Sequence, residues 1–340
     1  MYTETGCPFT GKMQEKLQKL LLACQLTYDP SIEYTVAIME EDEMIASGSL
    51  SGDTVRCVAV HPRHQGEDLT GRVMTHLLQH AAQNGRRHLM LYTKPFNQHL
   101  FSPFGFHPVI RTNDCLLMEN VKDGLKNHLS SLEKPAVQGA VGCIVANCNP
   151  FTLGHRYLIE TAARQCAHVH VFVLSEDKGL FTPSERISMV KTGCADLKNV
   201  SVYPTGPYMV SSATFPSYFI KDKMRAGDIH CALDVHLFGE KIAPALGITR
   251  RYVGTEPDCA VTAQYNKTLL QLLPDYGIEP VEIPRMQTGG RPVSASRARS
   301  LIKVGRWEQL HDLLPAETLA FLDSIKGELT CRIHSECSEA

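Results

Sequence analysis

Hydrophobic and polar positions follow two successive regimes along this chain. Between residues 11 and 28, Met13, Leu17, Leu20, Leu21 and Cys24 fall on one face of a short amphipathic helix. Strand-like runs follow at 34–39, at 43–50 after an acidic turn, and at 55–60. A helix is predicted from about residue 69 to 84, then a strand at 88–93, and the stretch 101–109 closes this part. Residues 121–139 mix Lys, Asn, Ser, Glu and Pro around a short helical patch at 125–132, the composition of a boundary. From residue 141 strands and helices alternate, the pattern of a parallel sheet covered on both faces. Its expected strands are 141–146, 168–174, 199–203, 229–233, 251–254 and 280–285, and residues 214–226 read as a helix rich in Phe, Tyr and Lys. The tail after Gly327 is polar and expected to fray. No internal repeat stands out. The fold class is α/β. A chain of 340 residues suits two domains. The expected limits are 1–125, a linker 126–139, a Rossmann-like parallel-sheet domain 140–326, and a polar tail 327–340.

The strand at 141–146 runs into Asn149-Pro150-Phe151-Thr152-Leu153-Gly154-His155 and then into helical periodicity. A tight turn there places Gly154 and His155 at a helix N-terminus, where unbonded N–H groups and the helix dipole favour a phosphate. Gly154 lets the backbone come close to an anion. His155 supplies a donor, or a cation if protonated, where charge develops on an attacked α-phosphorus. A Pro/Gly turn between strand and helix also occurs in any α/β protein, so a second motif matters.

That second motif is Val293-Ser294-Ala295-Ser296-Arg297-Ala298-Arg299, ahead of the apolar periodicity of Leu301, Ile302 and Val304. Ser294 is the expected N-cap. Two hydroxyls and an arginine fork at a helix start form a second phosphate grip. Between the motifs, Lys178 follows the second strand on the side where open α/β sheets bind ligands. It reads equally as a phosphate contact or a surface lysine. Thr182-Pro183-Ser184-Glu185 starts another helix, and Arg186 reads as an ion-pair partner or a ligand contact. His168 and His170 share a strand face with no third ligand evident, and read as structural. Asp234 and Glu256 are candidates to line the site.

Bulk properties exclude several classes. Net charge is −2, which gives no electrostatic case for nucleic-acid or membrane binding. No apolar run is long enough to span a bilayer. Met1-Tyr2-Thr3-Glu4-Thr5 lacks the basic and apolar regions of a signal peptide. Twelve cysteines are scattered without a CxxC, and Cys57, Cys143 and Cys231 sit within apolar runs. That suits reduced thiols and a cytoplasmic location. Cys148 reads as a small packed thiol or as a lining residue of the nucleotide site.

The first motif resembles the (H/T)-x-G-H pattern of the nucleotidyltransferase superfamily, and Ser294, Ser296 and Arg299 match its late I-S-x-(S/T)-x-x-R pattern. The resemblance implies transfer of a nucleotidyl group from a nucleoside triphosphate, with the second motif on the β- and γ-phosphates. Residues 55–109 resemble a GCN5-related N-acetyltransferase: "VRCVAVHP", "RHQGEDL", a helix, and "FSPFGFHPV". In that family an R/Q-x-x-G-x-(G/A) loop wraps a coenzyme A pyrophosphate. Arg63 and Gly66 match it, while Asp68 puts a carboxylate at its final position. Two roles therefore stand open for an acetyltransferase-like N-terminal α+β domain: docking a coenzyme A-like arm, or structure.

The combination, with "ANCNPFTLGHRYLIE", "SSATFPSYFIK", "RYVGTEP", "TAQYNKTLLQLLP" and "PVSASRAR", resembles the citrate lyase ligase family over nearly the whole chain. That resemblance implies ATP-dependent activation of acetate to acetyl-adenylate with release of pyrophosphate. The acetyl group then passes to the thiol of the coenzyme A-like prosthetic group on the citrate lyase acyl-carrier subunit. ATP and Mg²⁺ are the implied cofactors, with no protein metal ligands named. His155, Thr152, Lys178 and Arg299 are the expected catalytic residues. Asn147, Asn149, Pro150, Phe151, Gly154, Gly254, Glu256, Ser294 and Ser296 are the expected nucleotide contacts. Rival readings are an adenylyl- or cytidylyltransferase acting on a phosphorylated cofactor precursor, an N-acetyltransferase with a nucleotide-binding second domain, and a non-catalytic nucleotide sensor.

Overall fold

A computed structural model describes residues 1–176, 179–211, 214–257 and 259–338. The chain divides into two units, one of residues 1–127 and 215–237, the other of 128–214 and 238–340.

Unit 1 is built on a seven-stranded sheet. Its strands are β1 (Tyr2–Gly6), β2 (Tyr34–Glu40), β3 (Glu43–Ser51), β4 (Thr54–Val60), β5 (Met90–Thr93), β6 (His107–Arg111) and β7 (Leu116–Glu119), in the order β1-β2-β3-β4-β5-β7-β6. Helix α1 (Gly11–Ala23) buries Leu17, Leu20 and Leu21, three of the residues on its expected face. Helix α2 (Leu69–Gln83) buries Leu69, Val73, Met74, Leu77 and Ala81 against Val36, Ile38, Val55 and Leu91 of the sheet. Neighbouring strands are antiparallel except β4 and β5, which pair in parallel at Thr54–Met90 and Val55–Leu91 alone. Beyond Val55 that ladder opens. Cys57, at φ +52, lies where β4 shifts register against β3.

Residues 215–237 differ from the sequence expectation. The stretch 214–226 is mostly turns, and a helix spans Ala226–Leu237. It takes up the expected strand at 229–233. A short apolar run does not by itself tell strand from buried helix, and Ile229, His230, Cys231, Leu233, Val235 and Leu237 are all buried in the helix.

Unit 2 carries a five-stranded parallel sheet: β8 (Val141–Ala146), β9 (His168–Val173), β10 (Val200–Pro204), β11 (Arg250–Gly254) and β12 (Glu279–Ile283), in the order β10-β9-β8-β11-β12. The chain first steps outward from β8 to β10 and then returns to the other side of β8 with β11. Sheet order therefore reverses between β8 and β11, the place where open α/β sheets hold ligands beyond their C-terminal strand ends. Helices α3 (Leu153–Gln165), α4 (Pro183–Gly193), α5 (Ala260–Leu272), α6 (Ala295–Lys303) and α7 (Ala316–Ser324) surround it. The tail does not end the fold at Gly327. A helix α8 (Lys326–Ser338) buries Leu329 completely, and its Arg332 forks onto Glu185 at 2.8 Å through both nitrogens. One apolar anchor and one bidentate ion pair order a segment whose composition is polar. No helix among the described residues is long and apolar enough to cross a membrane.

Candidate functional site

The first motif links β8 to α3 at the reversal point. Thr152, extended at φ −118, is the N-cap of α3, and its Oγ1 accepts the His155 N–H at 3.3 Å. His155 Nδ1 in turn accepts the Thr152 N–H at 3.1 Å. This is a capping box with histidine in the place usually taken by Glu or Gln. A backbone N–H can only donate, so Nδ1 carries no proton and the proton of the neutral ring sits on Nε2. Burial, and then the nearby Arg285 guanidinium, push the His155 pKa down to about 4. The imidazole is therefore neutral at physiological pH, able to donate from Nε2 and not to act as a cation. Thr152, 1% exposed, positions that ring. Leu153 N–H is taken by Leu313 O and His155 N–H by Thr152, so Gly154 carries the first-turn N–H without a partner among the described residues.

The two motifs meet. Arg299, on the second turn of α6, donates from Nη1 to the Asn149 carbonyl and from Nη2 to Ser296 Oγ at 3.0 Å. Burial holds its pKa below the usual guanidinium value. Ser294 is the N-cap of α6, with its Oγ accepting the Arg297 N–H at 3.4 Å. A Cβ on Gly154 would stand 3.4 Å from Val293 O, an ordinary contact distance, so the packing of the two helix starts does not itself require glycine and the approach of an anion remains the reason for it.

Several expected contacts take other roles. Phe151 is fully buried, and a Cβ on Gly193 would stand 2.5 Å from its ring. Its side chain is the packed floor beneath the loop rather than a nucleotide contact. Pro150 and Cys148 are buried beside it, Cys148 at φ +51, and burial raises the Cys148 thiol pKa well above its ordinary value. Asn149 is 5% exposed, its Oδ1 has no partner among the described residues, and its Nδ2 lies so close to Gly179 that a side chain there would collide. Asn147 accepts from Arg186 through both its carbonyl, at 3.1 Å, and its side-chain oxygen. The Arg186 guanidinium is fully buried and also reaches the Glu176 carbonyl. Arg186 thus bonds oxygens of two strand-end loops. The Glu176 carboxylate continues the brace to Ser211 and Thr214.

Gly254 ends β11, and its carbonyl accepts from Asn266 Nδ2 at 2.9 Å. The Glu256 side chain, 6% exposed, is ion-paired with Arg285, so its carboxylate is engaged by a neighbour in this structure. Asp234 belongs to the helix of unit 1 and not to the motif-bearing unit. Lys178 falls outside the described residues. His168 and His170 are buried side by side with ring centroids 4.7 Å apart.

Arg285 was not singled out from sequence. It follows β12 by two residues, its N–H is fixed on Thr255 Oγ1 at 3.1 Å, and its charge adds to the burial that depresses the His155 pKa. The available signal was its place just past a strand end on the ligand side. Together the site offers a neutral Nε2–H donor, two guanidinium groups and two helix N-termini, an arrangement suited to a polyphosphate whose α-phosphorus is attacked. Among the described residues no group of three or more His, Cys, Asp or Glu comes together that could hold a metal.

Known proteins share both parts of the chain. A profile of the citrate lyase ligase C-terminal domain matches residues 141–322, and one of the acetyltransferase (GNAT) family matches 1–106. The chain is similar to the citrate (pro-3S)-lyase ligase of Klebsiella pneumoniae, 39% identical over 91% of this chain and 92% of that protein. It is similar to the same ligase of Haemophilus influenzae, 38% identical over 90% and 94%, and of Escherichia coli K12, 37% identical over 93% and 92%.

Proposed function

The chain belongs to the citrate lyase ligase family, and from that premise we propose that it activates citrate lyase by acetylating the acyl-carrier subunit at the expense of ATP. The observation that supports this most is the Arg299–Asn149 bond, which joins both phosphate motifs beside a neutral His155. In the first step an acetate oxygen attacks the α-phosphorus of ATP, the bond to the β-phosphate breaks, and acetyl-adenylate and pyrophosphate form. In the second, the carrier thiol sulfur attacks the acetyl carbonyl, AMP leaves, and the thiol proton goes to solvent. The carboxylate arrives deprotonated and pyrophosphate leaves readily, so alignment and charge stabilisation are the main tasks of the protein. His155 Nε2–H donates to an α-phosphate oxygen. Thr152 holds the ring, Gly154 N–H and Arg285 face developing charge, and Ser294, Ser296 and Arg299 hold the departing pyrophosphate. Lys178 adds a phosphate contact. Mg²⁺ would arrive with ATP and would supply neutralising charge on the phosphates, since magnesium commonly binds through its nucleotide and no cluster of protein ligands for it stands among the described residues. The reading includes a cytoplasmic setting, in keeping with buried thiols such as Cys57, Cys143 and Cys231, and no part for nucleic acid or membrane.

ATP–pyrophosphate isotope exchange by the purified chain tests this reading. Exchange that requires acetate is expected. Exchange that instead requires a phosphorylated acceptor would move the protein to cofactor-synthesising nucleotidyl transfer.

Arg299→Ala should raise the KM for ATP in that assay by about 10–100-fold, the worth of one charge-assisted pair of bonds. Arg299→Lys should recover only part, because an ammonium cannot bond the Asn149 carbonyl and Ser296 in one fork. An unchanged ATP dependence would remove Arg299 from the site.

The His155 pKa gives a pH prediction with a definite sign. The unfolded ring takes a proton near pH 6.5 and the folded one near 4. Between those values the unfolded chain binds more protons, so His155 erodes stability as pH falls through that window and is neutral in effect above it. The kcat/KM profile should show no step near 6.5 that His155→Asn abolishes. Such a step would mean that the ring titrates freely and the capping box is not its resting state.

A further inference from the structure

Where two parallel strands run apart, backbone groups on their facing edges lose their partners. Such an opening seats an extended amide chain well, by the logic of strand addition. In unit 1 the opening lies between β4 and β5 beyond Val55, and it leads toward the N-terminus of α2. That is the route an acyl-thioester arm would take, with its phosphates at the loop of Arg63 and Gly66.

Both ends of that route are held by the chain itself. Tyr218, 8% exposed, sends its hydroxyl into the opening. The hydroxyl donates to the Tyr92 carbonyl of β5 at 3.1 Å and takes a hydrogen bond from the backbone of Cys57 on β4. One oxygen thus serves a donor and an acceptor on the two separated strands. Its backbone is fixed as well, since the Tyr218 carbonyl accepts the Thr27 N–H at 2.9 Å. Phe215 stands edge-on to the Tyr92 ring with centroids 5.7 Å apart. At the other end, Asp68 adopts φ +54 and lays its carboxylate over the first turn of α2, where a Cβ on Gly71 would be 2.5 Å from Oδ1. Glu67 and Glu40 flank His64 of the same loop at 3.2 and 3.9 Å. A helix start that attracts phosphate is thereby lined with carboxylates.

We infer that unit 1 does not receive a coenzyme A-like arm: Tyr218 and Asp68 occupy its groove from within, and the segment 215–237 is a built-in substitute for the ligand. The carrier thiol is then received at the motif-bearing unit, a corollary that rests on the ligase reading above. The acetyltransferase likeness of residues 1–106 accordingly marks descent of the fold and not a second acyl-transfer activity.

Hydrogen exchange on the full chain tests this with coenzyme A as the probe. Millimolar coenzyme A is expected to leave peptides covering 56–69 and 90–93 unprotected, whether or not peptides around 147–155 gain protection. Protection at 56–69 and 90–93 would overturn the inference. Tyr218→Phe keeps the ring and removes the bridging oxygen. It should speed exchange at Cys57 roughly three- to tenfold, the worth of one buried hydrogen bond. An unchanged rate there would show that the hydroxyl is not the occupant. Acetate-dependent pyrophosphate exchange of the unaltered chain is scored separately, so a failure of the ligase reading leaves this result interpretable.

Discussion

Replacing His155 with alanine should cut acetate-dependent ATP–pyrophosphate exchange by roughly 10²–10³-fold, the usual loss when one donor to a developing oxyanion is removed. The effect should fall on kcat more than on the KM for ATP, because Nε2–H meets charge that grows in the transition state. The substitution also removes half of the capping box, at about 0.5–2 kcal/mol. Thr152→Val separates the two contributions. It removes the hydroxyl half of the box while leaving the imidazole, so its loss of stability calibrates the structural part of the His155→Ala effect. His155→Asn, which keeps an N–H donor, should recover part of the rate. A fall of less than threefold for His155→Ala, with the fold intact by circular dichroism, would end the donor role.

The second large effect is on stability. Arg186→Met should destabilise unit 2 by about 3–5 kcal/mol, because it removes the donor of three buried oxygens at about 1–3 kcal/mol for each one left unsatisfied. The methionine fills much of the volume but leaves the oxygens of Asn147 and the carbonyl of Glu176 without this donor. For a unit of this size that corresponds to a fall of roughly 6–20 °C in melting temperature. Arg186→Lys should lie between, since a point charge cannot span the ends of β8 and β9 as the fork does. Exchange activity should drop alongside, because the Asn147 loop carries the first motif. Thermal unfolding within 2 °C of the unaltered chain, on the order of less than 1 kcal/mol, would show that the guanidinium is dispensable.

Much of the motif-bearing unit was legible in the sequence because its information is local. Thr152 and Ser294 cap the helices they precede. Thr182 and Glu185 close a second capping box, with Thr182 N–H on Glu185 at 2.8 Å. The alternation of strand and helix implied a parallel sheet, and a parallel sheet implies that the turns after β8 and β11 share one edge. The stretch 215–237 was misread because a strand and a buried helix share the same short apolar run. The tail was misread because its polar composition conceals one buried leucine and one arginine.

Partner choice was not legible. No local pattern says that Arg186 binds loop oxygens, that Glu256 is spent on Arg285, or that Tyr218 crosses the gap between Cys57 and Tyr92. These pairings join residues tens to more than a hundred positions apart, and the reversal of sheet order and the opening of a ladder set them. Capping, turn chemistry and periodicity are fixed by neighbours a few residues away, so the chain alone determined its helix starts, its phosphate motifs and its fold class. The protonation of His155, the sharing of Arg299 between two motifs and the filling of the groove in unit 1 depend on burial and on distant charges, and only the tertiary structure decided them.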